Sequence, residues 1–178
     1  MLFQILLIVF AVLAIYWELQ LFVCDGAPFL VSSNETSDHA QTLLDIKPNE
    51  NVYDLGCGNC ATLLRFRNKV PKANYIGIDQ SPFAQIAAKL NIFTHKANKN
   101  VRIEKGDFMS INVSNADKIY VWLSPVIMPK LYTKLKKELK QGTKVVSCDF
   151  PFENEIPAKI VETNSKGMFG KRLYLYIF

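Results

Sequence analysis

Asn51-Val52-Tyr53-Asp54-Leu55-Gly56-Cys57-Gly58-Asn59-Cys60-Ala61 is the stretch whose reading decides the fold. Asn51–Leu55 is a short, mostly apolar run that reads as a strand. Gly56 and Gly58 follow at once, and glycine permits a tight turn and lets backbone approach a ligand. Ala61–Arg67 then reads as a short helix, whose first N–H groups are free to meet an anionic group.

Working outward, strands and helices keep alternating. Asn74–Ile78 is a strand, and Pro82–Phe93 is a helix with proline at a permitted first-turn position. Val101–Glu104 and Lys118–Leu123 are strands. Val126–Lys140 is an amphipathic helix, with Ile127, Leu131, Leu135 and Leu139 on one face and lysines opposite; Gly142 ends it. Thr143–Cys148 is a strand, and Ile160–Thr163 and Arg172–Ile177 form a last strand pair around Asn164–Gly170. Upstream, Ser33 or Asn34 caps a helix with Ala40, Leu43, Leu44 and Ile46 inward, broken by Lys47-Pro48-Asn49-Glu50. Asp25-Gly26-Ala27-Pro28-Phe29 reads as a turn and linker. The alternation predicts an α/β fold, a doubly wound and mostly parallel sheet with helices on both faces. The last pair, with no helix between, predicts an antiparallel hairpin at its end. The expected division is a membrane anchor over 1–23, a linker and cap helix over 24–50, and a ligand-binding domain over 51–178.

Residues 1–23 are apolar apart from Gln4, Glu18 and Gln20, about the length a bilayer core requires. Tyr16 and Trp17 fall where an interfacial aromatic belt would lie. A cleaved signal peptide normally has a basic start and a small-residue cleavage site; neither is clear here, which favours an uncleaved transmembrane helix. The charge is uneven: all 21 basic residues and 11 of the 16 acids lie in 47–178, a net of +10. Such a body could lie on an anionic membrane face. Without an Arg-rich run or aromatic-basic interleaving, nucleic acid is not the expected partner. Four cysteines are too few for a disulfide scaffold.

In a doubly wound sheet, ligands bind at the carboxyl ends of the strands near the switch point. Gly56 and Gly58 fall there. Asp79 ends the second strand, where a carboxylate can accept both hydroxyls of a ribose. Asp107 follows the third strand, within reach of an adenine edge. Acids at three successive strand ends suit a nucleoside better than a phosphate-rich ligand. Two rival readings attach to the same loop. Gly56 to Ala61 also fits a dinucleotide fingerprint, although Asp54 would repel a pyrophosphate and could instead pair with an amino group. Cys57-Gly58-Asn59-Cys60 is a C-x-x-C between a strand and a helix, as in thiol-disulfide oxidoreductases. Metal is not expected, because no His pair completes the cysteines.

Val52 to Gly58 resembles motif I of the seven-strand S-adenosylmethionine-dependent methyltransferases (class I), and Tyr75-Ile76-Gly77-Ile78-Asp79 resembles their second motif. The resemblance implies a seven-stranded Rossmann-like sheet with S-adenosylmethionine as cofactor. It assigns Asp54, Gly56 and Gly58 to the methionine end, Asp79 to the ribose and Asp107 to the adenine; Gln80 and Phe108 complete the expected cofactor set. Cys60 stands where a third glycine or other small residue is usual. Met128-Pro129-Lys130-Leu131, the lysine-rich helix after it, Val145 to Phe152 and Gly26-Ala27-Pro28-Phe29 are similar to the small membrane-anchored protein-lysine methyltransferases.

Methyl transfer from a sulfonium is an in-line displacement that depends mainly on positioning. A lysine acceptor must first lose its proton, which a low-dielectric or carboxylate-edged pocket favours. Ser124 and Pro125 are expected to line the acceptor site, with Trp122 as a wall. Asp149 could orient an amine, and His39 could lie over the pocket. S-adenosylmethionine is made in the cytosol, so a single-pass protein with its body on the cytoplasmic side is expected. The acceptor is a protein lysine or a lipid-like small molecule; a non-catalytic interaction protein that kept the fold is the reading from another class.

Overall fold

β1 (Asn51–Leu55) is buried at four of its five positions, as a strand must be when both of its faces are covered. In the computed structural model, which describes residues 2–23, 32–153, 155–165 and 169–178, β1 is an interior strand, third in order, of a seven-stranded sheet. β2 (Asn74–Asp79) runs parallel on one side and β4 (Lys118–Val121) on the other. β3 (Val101–Lys105) extends the sheet beyond β2, and β5 (Lys144–Cys148) extends it beyond β4, both parallel. β7 (Arg172–Ile177) then pairs antiparallel with β5, and β6 (Lys159–Glu162) pairs antiparallel with β7. The order β3-β2-β1-β4-β5-β7-β6 is the doubly wound, hairpin-ended sheet expected from the alternation. Its direction of growth reverses between β1 and β4, so the crevice at their carboxyl ends is the switch point.

Strand alternation divides the core in two. On one face Val52, Tyr75, Tyr120 and Val146 pack against α2 (Asn34–Leu44), α3 (Ala61–Lys69) and α4 (Pro82–Thr94). On the other face Tyr53, Ile76, Ile119 and Val145 pack against α5 (Met128–Glu138). Helices cover both faces, but unevenly. The β3–β4 connection carries no helix, and Ile111, Val113 and Ala116 from that loop cover the sheet instead. Ser33 proves to be the cap of α2, accepting a hydrogen bond from the Thr36 N–H at 3.0 Å. Arg65 of α3 donates twice to Asp38 of α2, at 2.8 and 2.6 Å, and the guanidinium holds the Asp38 carboxyl far below the usual range.

Two expectations are corrected, and a third finds no support among the described residues. β4 stops at Val121, so Trp122 and Leu123 belong to the loop after it. The lysines of α5 do not all face water: Lys134 is buried, and its ammonium donates to the Ile111 carbonyl at 2.7 Å and to Glu138 at 2.5 Å. The anchor was expected to appear as a transmembrane helix. α1 does span Leu2–Val23, yet among the described residues no helix is long and apolar enough to cross a membrane. The described side chains of α1 are those of 3–12 and 15. Those side chains include Phe3, Leu6, Ile8 and Phe10, all exposed. The expected aromatic belt at Tyr16 and Trp17, and the linker over 24–31, lie outside the described residues and side chains.

The β1–α3 loop crosses β2 at Gly77. A Cβ there would lie 2.5 Å from Cys57 Sγ and 2.8 Å from Cys60 Sγ, so the methyl of Gly77→Ala must push the loop off the sheet. Gly77→Ala is expected to lower stability by about 1–3 kcal/mol, read as a shift of the urea midpoint at unchanged slope.

Candidate functional site

The site is built on the loop after β1. Gly56, Gly58 and Cys60 all take positive φ, at 79°, 53° and 60°. This left-handed backbone curls the loop over the end of β2, where the Ile78 carbonyl accepts from both Gly56 N–H (2.8 Å) and Cys57 N–H (3.2 Å). Gly56 is required twice. Its φ disfavours a side chain, and a Cβ would sit 2.8 Å from Leu123 Cδ2 in the loop after β4. Gly58 N–H donates to the Asp79 carboxylate at 2.9 Å, and Ser81 N–H donates to its other oxygen at 2.9 Å. Asp79 therefore ties the loop to β2 while caping the turn into α4.

Asp54, the fourth residue of β1, is 4% exposed. Among the described residues no donor reaches its carboxyl, whose oxygens keep a little solvent contact. Burial, reinforced by the neighbouring Asp79, pushes its pKa up to about 8. Asp79 is also raised, by burial, against the lowering effect of the two N–H donors from Ser81 and Gly58. Two carboxyls at adjacent strand ends, one lacking a partner, form an electronegative floor suited to a cation.

Cys57 and Cys60 are both buried, with their sulfurs 3.5 Å apart. The Cys60 contact and burial push the Cys57 thiol well up. A redox C-x-x-C needs a lowered, accessible thiolate, so the oxidoreductase reading loses its chemical basis. Cys60 stands at the start of α3 and turns its side chain into the core over Gly77. The bulk that departs from the usual small residue is thus absorbed on the sheet side of the loop.

The other expected residues are less uniformly placed. Gln80 is exposed beside Asp79. Asp107 is exposed, and its carboxylate accepts from Met109 N–H at 2.8 Å and Ser110 Oγ at 3.3 Å, so it caps its own turn. Phe108 packs half-buried against the α5-side core. Trp122 packs half-buried against the α2–α4 side, the cluster that holds Cys57 and Cys60. Ser124 Oγ accepts from Val126 N–H at 3.4 Å, and Pro125 is exposed beside it; both lead into α5. One suggestion fails, and a second gains no support. Asp149 cannot orient an amine freely, because it accepts from Gly170, Lys171 and Arg172 N–H at 2.6, 2.7 and 3.3 Å. His39 is an exposed residue on α2, 3.9 Å from Glu35.

Two residues that shape the site were not anticipated. Leu123 is the wall against which Gly56 is fitted. Gln85 is buried on the inner side of α4, and its amide donates to the Asp79 carbonyl at 2.8 Å and the Glu104 carbonyl at 3.3 Å, joining the ends of β2 and β3. A glutamine in phase with Ala84, Ala88 and Ile92 was the available signal. A depression of about 490 Å³ lies at the β5–β7–β6 end, lined by Asp149, Phe150, Phe169 and Tyr174 among others, and shares no residue with the Asp54 floor. Among the described residues no cluster of His, Cys, Asp or Glu could hold a metal ion.

Residues 54–159 match the family described as the ANTKMT methyltransferase domain. A protein-lysine N-methyltransferase of Saccharolobus islandicus is 25% identical over 150 residues, covering 84% of this chain and 92% of that protein. A carboxy-S-adenosyl-L-methionine synthase of Vibrio parahaemolyticus is 27% identical over 127 residues, but the chain spans only 51% of its length. Among solved structures, an RNA methyltransferase from Salinibacter ruber in complex with S-adenosyl-L-homocysteine superposes with a TM-score of 0.77 at 25% identity, covering 83% of this chain and 93% of that one. The match begins at Asp54, takes in the whole glycine loop and both carboxyls, and runs to the start of β6: this chain belongs to the ANTKMT methyltransferase domain family.

Proposed function

We propose that this protein is an S-adenosylmethionine-dependent methyltransferase that acts at a membrane and N-methylates a lysine of a protein substrate. The observation that carries the cofactor reading is Asp54: a buried carboxyl with no hydrogen-bond donor among the described residues, at the mouth of a loop made of left-handed glycines. The residues fit the group. Asp54 would hold the methionine ammonium, Gly56 and Gly58 would let the methionine end approach backbone, and Asp79 keeps carboxylate lone pairs for the ribose hydroxyls. Gln80, Asp107 and Phe108 would border the adenosine. Bound there, S-adenosylmethionine supplies a methyl group on a positively charged sulfur.

The chain's own part in the reaction is positioning and desolvation. Trp122, Ser124 and Pro125 follow β4 beside the glycine loop and would direct the acceptor toward it. Desolvation of a lysine entering this crevice favours its neutral, nucleophilic form, against the pull of the carboxylates toward the ammonium. The proton shed by the amine passes to solvent. The lysine acceptor is supported by the family match and by the relative's designation as a protein-lysine N-methyltransferase. Action at a membrane is supported by the exposed apolar side chains of α1 and by the basic body. In this reading 1–23 is a single-pass anchor, 24–50 a linker and covering helix, and 51–178 the catalytic domain on the cytoplasmic side, where the cofactor is made.

Calorimetry of the full chain with S-adenosylmethionine is expected to show saturable binding that Asp79→Ala abolishes; no binding by the native chain would sink the cofactor reading. With radiolabelled cofactor and membranes, label is expected in lysine side chains of protein. Label recovered only in extracted lipid would replace the lysine acceptor with a lipid.

The Asp54 carboxyl adds a pH signature. Pairing with an ammonium needs the carboxylate, whereas the unliganded group titrates near pH 8. Affinity should therefore strengthen about tenfold per pH unit from pH 6 toward 8, with release of about one proton. The same raised pKa weakens the unliganded fold as pH rises from about 4, the unfolded value, toward 8, because the folded state retains a proton that the unfolded state has lost. Asp54→Asn should remove that penalty, raising Tm more at pH 8 than at pH 5 while abolishing cofactor binding. A variant that loses both stability and binding would mark Asp54 as structural.

A further inference from the structure

α4 carries an apolar stripe on the face turned away from the sheet. Its inner face is conventional: Ala84, Ala88 and Ile92 are buried against β3 and its neighbours. Its outer face presents Ile86, Leu90 and Phe93, at 68%, 61% and 70% exposed, in line with Phe83 at 57%. The spacing of three, four and three residues puts these side chains on one helix face. A helix that is apolar all round is normally buried on both sides, and an exposed patch of this kind marks an interaction surface.

The charges around the stripe select the partner. Lys89 is the one charged residue of α4. Residues 80–103 contain no Asp or Glu, and four basic residues: Lys89, Lys96, Lys99 and Arg102. The three lysines are exposed, while Arg102 is engaged with Glu104 at 3.0 Å. Large apolar side chains flanked by lysines form the pattern of a helix that lies in a membrane interface, with its lysines at anionic headgroups. A second copy of this chain would oppose the same lysines to themselves.

We propose that α4 is a second membrane contact, separate from α1, which seats Ile86, Leu90 and Phe93 in the interface of an anionic bilayer. α4 starts directly after Asp79, Gln80 and Ser81, and Ser81 caps it. Docking α4 therefore holds the carboxyl end of β2 and the glycine loop close to the bilayer surface, where a membrane-embedded acceptor is presented. The contact is a property of the surface and stands whether or not the lysine assignment does.

The test uses the full chain carrying Trp17→Phe and Leu90→Trp, compared with Trp17→Phe alone, on vesicles with brominated acyl chains. On phosphatidylcholine–phosphatidylglycerol vesicles, the tryptophan introduced at position 90 should shift its emission to the blue and be quenched. Both effects should disappear on phosphatidylcholine alone, and in the added triple variant Lys89→Gln, Lys96→Gln, Lys99→Gln with unchanged circular dichroism. A chain that sediments with vesicles but leaves position 90 unquenched keeps its tether and loses this contact. Failure to sediment at all also overturns it, as does blue-shifted emission already present without lipid, which would mean that protein covers the stripe.

Discussion

The site depends on how the loop after β1 is fastened to the end of β2. One carbonyl, that of Ile78, accepts from Gly56 and Cys57 N–H, and one carboxylate, that of Asp79, accepts from Gly58 N–H. These bonds require the loop to lie flat on β2, and the other features follow from that closeness. Gly77 has no room for a side chain beneath the two sulfurs. Gly56 has no room beside Leu123. Left-handed backbone at alternate residues is the means by which a short loop turns tightly enough.

The same closeness creates an electrostatic conflict. Asp54 and Asp79 end up near one another; burial raises the cost of ionising each, and Asp79 adds to that cost for Asp54. Natural chains keep such destabilising arrangements where function needs them. A cation resolves the conflict by supplying the charge and donors that Asp54 lacks. Asp149 shows the contrast: its oxygens accept three backbone N–H groups, from Gly170 and Lys171 before β7 and from Arg172 at its start. Two acids near the carboxyl ends of β1 and β5 thus differ in what surrounds each oxygen.

Much of this was legible from residue order. The run of apolar strands, Gly56, Gly58 and Asp79 all sit where local pattern puts them, because a strand followed by a glycine turn has few ways to continue. Asp107 was less legible. A strand-end acid can serve a ligand or cap its own turn, and here it accepts from Met109 and Ser110. Lys134 misled for a related reason: helical phase marks which side a residue occupies but not whether Glu138 and a loop carbonyl wait to receive its ammonium.

The sequence by itself determined the alternation of elements, the place of the glycine loop and the uneven distribution of charge. These are local or additive properties, written in neighbouring residues. Only the tertiary structure decided which strands pair, with β7 inserted between β5 and β6, and that Cys57 and Cys60 are buried packing groups. It alone showed that Asp54 has no donor among the described residues while Asp149 has three, and that α4 turns Leu90 and Phe93 outward. Each of these depends on atoms brought together from distant parts of the chain, and burial and hydrogen-bond satisfaction exist only once those atoms have met.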